Sequence, residues 1–502
     1  MHNLVKNNFL LKFIALFLFF TAIHYAMGYH FKIFYILAIT GILIVVNDYP
    51  KVYKTIIAIY ALVGICYLPV GLLYGYPDYN IFSSFYYTDS EEAKGFLKNI
   101  NYKYYLFSIL LLCFSYFIFK LKFEVNKKSK YVFSAIFLII TAISPIKALS
   151  EGSWRLLLTS GLPEYRFFTE SLFYLNYLQQ EKKSIEGDDT FETVSSNPKY
   201  HVYVVVIGES VRRDFMHSYG FPIENTPFTD TVKGYIFDNY ISASGSTNLS
   251  LSNTLSLYPQ MQNNIISLAN KAGFKTFWIS RQGTYGKHDG PVASIAKRAT
   301  HAYFVGGSAL LDNNVMSQDA PVIPKFIESL EQPGQHKLIV VHLIGSHSPF
   351  CDRIDNTYEQ FHISDKLSCY IQSIKNTDVL LSQIQQLLIK QNTSWSMLYF
   401  SDHGLSFIDN QTDLIHGDKT RQNFEVPFFI TSSDSTQREV ISARRSAMSF
   451  MTLFSQWTGI SEKSISQSCP MISSQECENQ NTVINFDKDP MSFERLNHDE
   501  KK

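Results

Sequence analysis

The chain has 502 residues, enough for roughly two or three domains, and its 44 Lys+Arg offset its 44 Asp+Glu to leave no net formal charge. That balance gives no sign of a nucleic-acid partner. The average conceals a split, because residues 1–150 run in long Phe, Leu, Ile and Tyr stretches while 150–502 have the mixed composition of a water-soluble globule.

Five apolar stretches come first, near 13–29, 31–46, 55–75, 104–119 and 131–148. Each is roughly 16 to 21 residues, long enough or nearly so to span a bilayer. The second is the weakest and carries Lys32 near its start, which can snorkel to the interface. The first does not read as a cleavable signal, since further spans follow and no small-x-small site closes it. Lys6 and Lys12 precede the first span, Lys51 and Lys54 lie between the second and third, and Lys120, Lys122, Lys127, Lys128 and Lys130 lie between the fourth and fifth. The positive-inside rule puts these segments in the cytoplasm. Five spans from an inside N-terminus then place everything after residue 150 outside.

Residues 151–199 read as a connection: "WRLLLTSGLPEYRFFTESLFYLNYLQQ" suits short interfacial helices, and "EKKSIEGDDTFETVSSNPK" a polar linker. From 200 to 502 strand and helix patterns alternate. A strand at 202–207 is followed by helical "IISLANKAGF", strands "KTFWIS" and "KLIVVHLI", helical "NTDVLLSQIQQLLIKQ", and strands "SMLYF" and "VPFFIT". This alternation predicts an α/β sheet with helices on both faces.

Cysteine usage fits an outer compartment. Cys66 and Cys113 fall inside spans, whereas Cys351, Cys369, Cys469 and Cys477 form an even set where oxidation favours disulfides. Pairing of nearest neighbours is one of three connectivities. A zinc–thiolate site competes with it, although no Cys-x-x-Cys spacing occurs.

Chemistry gathers where apolar runs end. "VYVVVIG" leads into Glu209, "KLIVV" into His342 and His347 in "HLIGSHSPF", and "SMLYF" into Asp402 and His403, with His416 following in "LIHGDK". In open α/β sheets the C-terminal strand edge is where ligands bind. Each fragment alone has a plain reading: Glu209 as a turn cap, His342 as a satisfied core histidine, "SGSTNLS" as a polar turn. Together, Glu209, Asp402 and His403 make an O/N ligand set suited to zinc with one position left open. Thr247 follows a Gly-Ser turn at a predicted helix start, where backbone N–H groups favour a phosphate.

The ordered set "GESVRRDFMHSYGFPIENTPF", "SGSTNLSLSNTLSLY", "HLIGSHSPF", "SDHG" and a later "HG" resembles the bacterial phosphoethanolamine transferases of the alkaline phosphatase and sulfatase-like superfamily. The resemblance covers nearly the whole chain. It implies a five-helix transmembrane domain at 1–150 in the bacterial inner membrane, then a periplasmic alkaline phosphatase-like α/β domain at 200–502 with a mostly parallel central sheet. It further implies that Glu209, Thr247, Asp402 and His403 bind zinc, with Thr247 as nucleophile. His342 would contact the phosphoethanolamine group, and His347 and His416 would contact it or carry protons. Thr88 and Glu92 in "SSFYYTDSEEAKGFL" match a family loop after the third span, with Ser84 where many members have Asn. Lys287 in "SRQGTYGKHDGP" matches a substrate-binding Lys. Gly-Ser-Thr replaces the Cys-Gly-Thr common in lipid A enzymes.

The activity so implied is zinc-dependent transfer of phosphoethanolamine from phosphatidylethanolamine to a lipopolysaccharide or other envelope glycan, by a monomer working among membrane lipids with no nucleic acid. Its rivals are a phosphoglycerol transferase using phosphatidylglycerol and a catalytically silent membrane scaffold. A sulfatase is disfavoured, since neither Cys-x-Pro-x-Arg nor Ser-x-Pro-x-Arg occurs.

Overall fold

Apolar segments in a bilayer must satisfy their backbone internally, and the N-terminal stretches do so as helices. The computed structural model describes residues 8–87, 97, 100–150, 161–192, 194–282, 290–305, 319–354, 358–361, 364–407 and 412–499. The chain divides into two units, Met1–Phe85 with Glu92–Leu178, and Tyr86–Glu91 with Gln179–Lys502.

The helices of the first part are α1 (Phe9–Ala26), α2 (Ile33–Val46), α3 (Pro50–Tyr74), α4 (Tyr79–Tyr87), α5 (Tyr102–Phe119), α6 (Lys127–Ser150) and α7 (Pro163–Glu186). Among the described residues four are long and apolar enough to cross a membrane: α1, α3, α5 and the Lys127–Lys147 part of α6. The second apolar stretch is a helix of only 14 residues, about 21 Å long against a hydrocarbon core of about 30 Å. It stops because its apolar run is bounded by Lys32 and by Asn47 with Asp48. Within this unit α2 packs closely on α6, since a Cβ at Gly41 would lie 3.1 Å from the Phe133 ring. Among the described residues, the segment read as short interfacial helices forms a helix of 24 residues, α7, which runs on to Glu186 into the expected linker.

Among the described residues of the second unit eight strands form one sheet: β1 (Val202–Gly208), β2 (Gly234–Phe237), β3 (Lys275–Ser280), β4 (His301–Phe304), β5 (Lys337–His342), β6 (Trp395–Ser401), β7 (Phe428–Ser432) and β8 (Arg438–Ile441). Their order is β8-β2-β7-β6-β1-β5-β3-β4. The sheet is mixed, because β7 runs antiparallel to both β6 and β2. Hydropathy predicts a strand at "VPFFIT" and carries no information on its direction.

All seven residues of β1 are buried, and they serve two cores. Tyr203, Val205 and Ile207 pack into one cluster and Val202, Val204 and Val206 into another, as a two-residue side-chain period demands of a strand covered on both faces. Helices supply those covers, among them α8 (Thr247–Thr254), α9 (Val322–Glu331), α10 (Asp365–Lys390) and α11 (Phe450–Thr458). The parallel registers pair Gly208 with Ser401, Ile207 with His342, and His342 with Ser280. Four neighbouring strands thus end in one row, and the polar residues beyond them emerge along one sheet edge. Disulfides join Cys351 to Cys369 and Cys469 to Cys477, the nearest-neighbour pairing.

Candidate active site

Glu209 leaves β1 through a crowded turn. A side chain at Gly208 would have to displace Tyr399, since a Cβ there would lie 2.7 Å from its hydroxyl. Ser210 adopts φ 60°, a left-handed conformation unusual outside glycine. The turn buries Glu209 completely and lets the Ser210 hydroxyl donate to its Oε1 at 2.6 Å. Such local strain is characteristic of functional positions.

Thr247 opens α8, and no side chain caps that helix N-terminus. Its hydroxyl donates to Glu209 Oε2 at 3.1 Å and stands 3.3 Å from His403 Nε2. The helix is pinned in place by Ser250, whose hydroxyl donates to the Asp402 carbonyl at 2.6 Å. A close approach of two glycines brings in the next segment: a Cβ at Gly245 would lie 1.8 Å from the Gly417 carbonyl oxygen. His416 therefore sits beside the nucleophile candidate, its ring centroid 4.8 Å from that of His403 and 6.1 Å from that of His347.

Asp402 and His403 follow β6 and are fully buried. Asp402 Oδ1 accepts the Ser210 and His403 backbone N–H groups at 2.9 and 2.8 Å. Its Oδ2 is buried and makes no hydrogen bond among the described residues. His403 Nδ1 lies 2.8 Å from the Gly404 carbonyl, which fixes the proton on that nitrogen and turns Nε2 inward. There Nε2 lies 3.5 Å from Glu209 Oε1 and 3.4 Å from Asp402 Oδ2. A ring nitrogen facing two buried carboxylates requires a cation between them, either a proton or a metal.

The electrostatics express the same demand. Burial would raise the Glu209 carboxyl, but the hydrogen bond and charge of His403 hold it well below the usual range. Asp402 is pushed up to about 7 by burial and by the Glu209 charge. Burial would lower His403, yet Asp402 and Glu209 raise it to about 9. Burial, with the charges of His403 and His347, lowers His416 to about 3. Burial likewise lowers His347, and lowers His342 to about 4.

The donor set fits a divalent metal. One ligand atom from each of Glu209, His403 and His416 lies within 4.8 Å of the others, and the lone Oδ2 of Asp402 and the Thr247 hydroxyl adjoin them. His416, read from the sequence as a proton carrier, is thus also in ligating range. His342 stands apart: its Nδ1 lies 3.3 Å from the Ser280 hydroxyl, its ring lies edge-on to Trp278, and its Nε2 has no partner among the described residues. Thr88, Glu92 and Lys287 lie outside the described residues.

One contributor escaped the sequence reading. The Gln282 amide donates at 2.8 Å to Glu209 Oε2, the oxygen that accepts the Thr247 proton, and at 3.1 Å to the Leu343 carbonyl. Its one signal was a position two residues past the end of β3, whereas Asp402 lies one residue past the end of β6.

Residues 201–460 match the Sulfatase family. Phosphoethanolamine transferase OpgE of Escherichia coli (strain K12) is 37% identical over 495 residues, covering 95% of this chain and 93% of that one. The chain belongs to the phosphoethanolamine transferase family. A putative phosphoethanolamine transferase of Haemophilus influenzae is 34% identical over 360 residues, covering 68% of this transferase and 71% of its own length. In fold, the transferase is similar to the Neisseria meningitidis integral membrane protein lipooligosaccharide phosphoethanolamine transferase A, with TM-score 0.61 and 16% identity over 92% of this chain and 97% of that one. It is also similar to the C-terminal periplasmic domain of Escherichia coli EptC in complex with Zn, with TM-score 0.55 and 20% identity over 62% of this chain and 98% of that domain. The transferase is therefore an enzyme of the sulfatase-like fold anchored by apolar helices.

Proposed function

We propose that this transferase moves phosphoethanolamine from phosphatidylethanolamine to a lipopolysaccharide or related envelope glycan or lipid, through a covalent adduct on Thr247, with zinc held by Glu209, Thr247, Asp402 and His403. The observation that carries this reading is the Thr247 hydroxyl, set between Glu209 and His403 at an uncapped helix N-terminus. Backbone N–H groups and the helix dipole favour a phosphoryl anion at that spot.

Bound zinc supplies Lewis-acid stabilisation of charge on phosphoryl oxygen and eases deprotonation of the hydroxyl. Thr247 Oγ1 then attacks phosphorus, its proton leaving first toward Glu209 Oε2. As the O–P bond to Thr247 forms, the bond to the diacylglycerol oxygen breaks, and that oxygen takes up a proton. His347 and His416 are neutral at rest because burial lowers both. An arriving phosphodiester raises their proton affinity, so either can receive a proton and pass it to the leaving oxygen. The second displacement reverses the roles: an acceptor hydroxyl or phosphate attacks, and Thr247 regains its proton.

Residues 1–150 serve as the membrane domain, 151–199 as the connection and 200–502 as a catalytic domain on the periplasmic side of the inner membrane. Four crossings would return the chain to the cytoplasm, so the short helix α2 completes a set of five, aided by snorkelling of Lys32 and local bilayer thinning. Two disulfides in the second unit favour an oxidising compartment. Thr88, Glu92, Lys287 and His342 are assigned to the donor headgroup.

The acceptor is tested by comparing envelope lipids and glycans by mass spectrometry from cells with and without the protein. A species heavier by one phosphoethanolamine, present only with the active protein, identifies it. Loss of a phosphoglycerol species instead would assign the chain to the phosphatidylglycerol reading.

A further inference from the structure

The segment 496–499 contributes nothing to the chemistry above, yet it grips all three loops that present the metal-site residues. The loop after Glu209 holds Arg212, whose side chain is fully buried. Its guanidinium donates through Nε and Nη2 to Asp214 at 2.9 and 2.8 Å, and through Nη1 to Asp499 Oδ2 at 2.7 Å and to the Leu405 carbonyl at 3.2 Å. The loop after His403 is held by the same Asp499 oxygen, which accepts the Phe407 N–H at 2.7 Å. The loop after His416 is held by the Asp499 backbone N–H, which donates to Gln422 Oε1 at 2.8 Å, and by the Asn497 carbonyl, which accepts the Arg421 N–H at 2.8 Å.

These attachments lie a few bonds from the site. The Arg212 N–H donates to the Tyr370 hydroxyl, which itself donates to the Ser210 carbonyl at 2.7 Å, and Ser210 contacts Glu209 and Asp402. The Gly404 N–H donates to the Asn423 carbonyl at 2.8 Å, tying the His403 loop to the loop that follows His416. We propose that Asp499 is a positioning residue for the metal centre: its carboxylate and backbone N–H clasp the loops after Glu209, His403 and His416 into one rigid assembly, and so set zinc affinity. Without this carboxylate Arg212 keeps Asp214 and the Leu405 carbonyl, but the Phe407 N–H loses its acceptor and the loops lose the group that ties them together. Outer contacts that orient ligands commonly change metal affinity by about 10–100-fold.

The inference rests on Glu209, Asp402 and His403 holding zinc, and the experiment separates the two. Full-length wild type, Asp499→Ala, Asp499→Asn and Asp402→Ala are purified in detergent, and zinc affinity is measured by chelator competition beside the unfolding midpoint of each metal-free protein. Asp499→Ala is expected to weaken zinc by about tenfold or more while its metal-free midpoint stays near wild type. Its transfer activity, lost at limiting zinc, returns in excess zinc. Asp499→Asn keeps an acceptor for the Phe407 N–H but loses the charge facing Arg212, and is expected to fall between. If Asp402→Ala loses zinc and Asp499→Ala does not, the clasp is refuted and the ligand assignment stands. If Asp402→Ala keeps zinc, the ligand assignment itself fails. A metal-free midpoint that collapses equally in both Asp499 variants assigns the residue to folding alone and also refutes the clasp.

Discussion

Thr247 Oγ1 hydrogen-bonds Glu209 Oε2 at 3.1 Å, although 38 residues separate them in sequence. The contact gives the hydroxyl proton a destination and aims the oxygen into the ligand cluster. Thr247→Ala is accordingly expected to lower transfer by about 10³-fold or more with the fold intact. Thr247→Ser retains the hydroxyl but frees its rotamer, so partial activity is expected. Rates of diacylglycerol release from phosphatidylethanolamine check both variants.

Asp402 Oδ2 has no hydrogen-bond partner among the described residues, and Asp402→Asn places an amide where a carboxylate faces His403 Nε2. Purified wild type is expected to hold about one zinc per chain, and Asp402→Asn to hold little. Metal analysis by mass spectrometry measures this directly, and equal zinc in the two proteins would remove Asp402 from the ligand set.

Gly245 and Gly417 are pressed together, so a methyl group at 245 must part the segments that carry Thr247 and His416. Gly245→Ala is expected to cost about 1–3 kcal/mol of stability and to reduce transfer far more than that loss of folded protein explains. A thermal unfolding curve paired with a rate measurement separates the two effects.

What the sequence made legible were the strand exits. A buried run such as "VYVVVIG" announces its own end, and the residue after it falls at the sheet edge by geometry alone. The contacts of Gln282 with Glu209, 73 residues apart, and of Asp499 with Arg212, 287 apart, leave no periodic trace. The direction of β7 was equally hidden, because strand hydropathy is the same read either way. Apolar composition at 31–46 did not disclose the length of α2, whose helix covers residues 33–46 and no more.

His342 supplies a pH signature. Its folded pKa of about 4 lies below the ordinary 6.5 because burial disfavours the charged ring. Between those values the unfolded chain binds a proton that the folded chain refuses, so stability falls as pH drops from about 6.5 to about 4 and is unaffected by this group above that window. The swing is on the order of 3 kcal/mol. His342→Gln should flatten that acid limb in unfolding experiments on the metal-free protein. An unchanged slope would mean that His342 is protonated in the fold.

Membrane orientation follows from the lysines between the apolar segments. Reporter fusions are expected to place residue 125 in the cytoplasm and residue 190 in the periplasm. The inverse result, residue 125 outside and residue 190 inside, would leave α2 outside the membrane and give four crossings, and fusions reporting the same side would overturn the five-span reading altogether.

The covalent step is tested most directly by incubating the enzyme with phosphatidylethanolamine and no acceptor, then mapping the protein by peptide mass spectrometry. The account predicts diacylglycerol release together with one phosphoethanolamine adduct on the peptide bearing Thr247, and neither signal in Thr247→Ala. Ser246 is the nearest competitor; its hydroxyl is buried without a partner among the described residues, whereas that of Thr247 faces Glu209 and His403. An adduct on Ser246 or Ser250, with Thr247→Ala still active, would contradict the account.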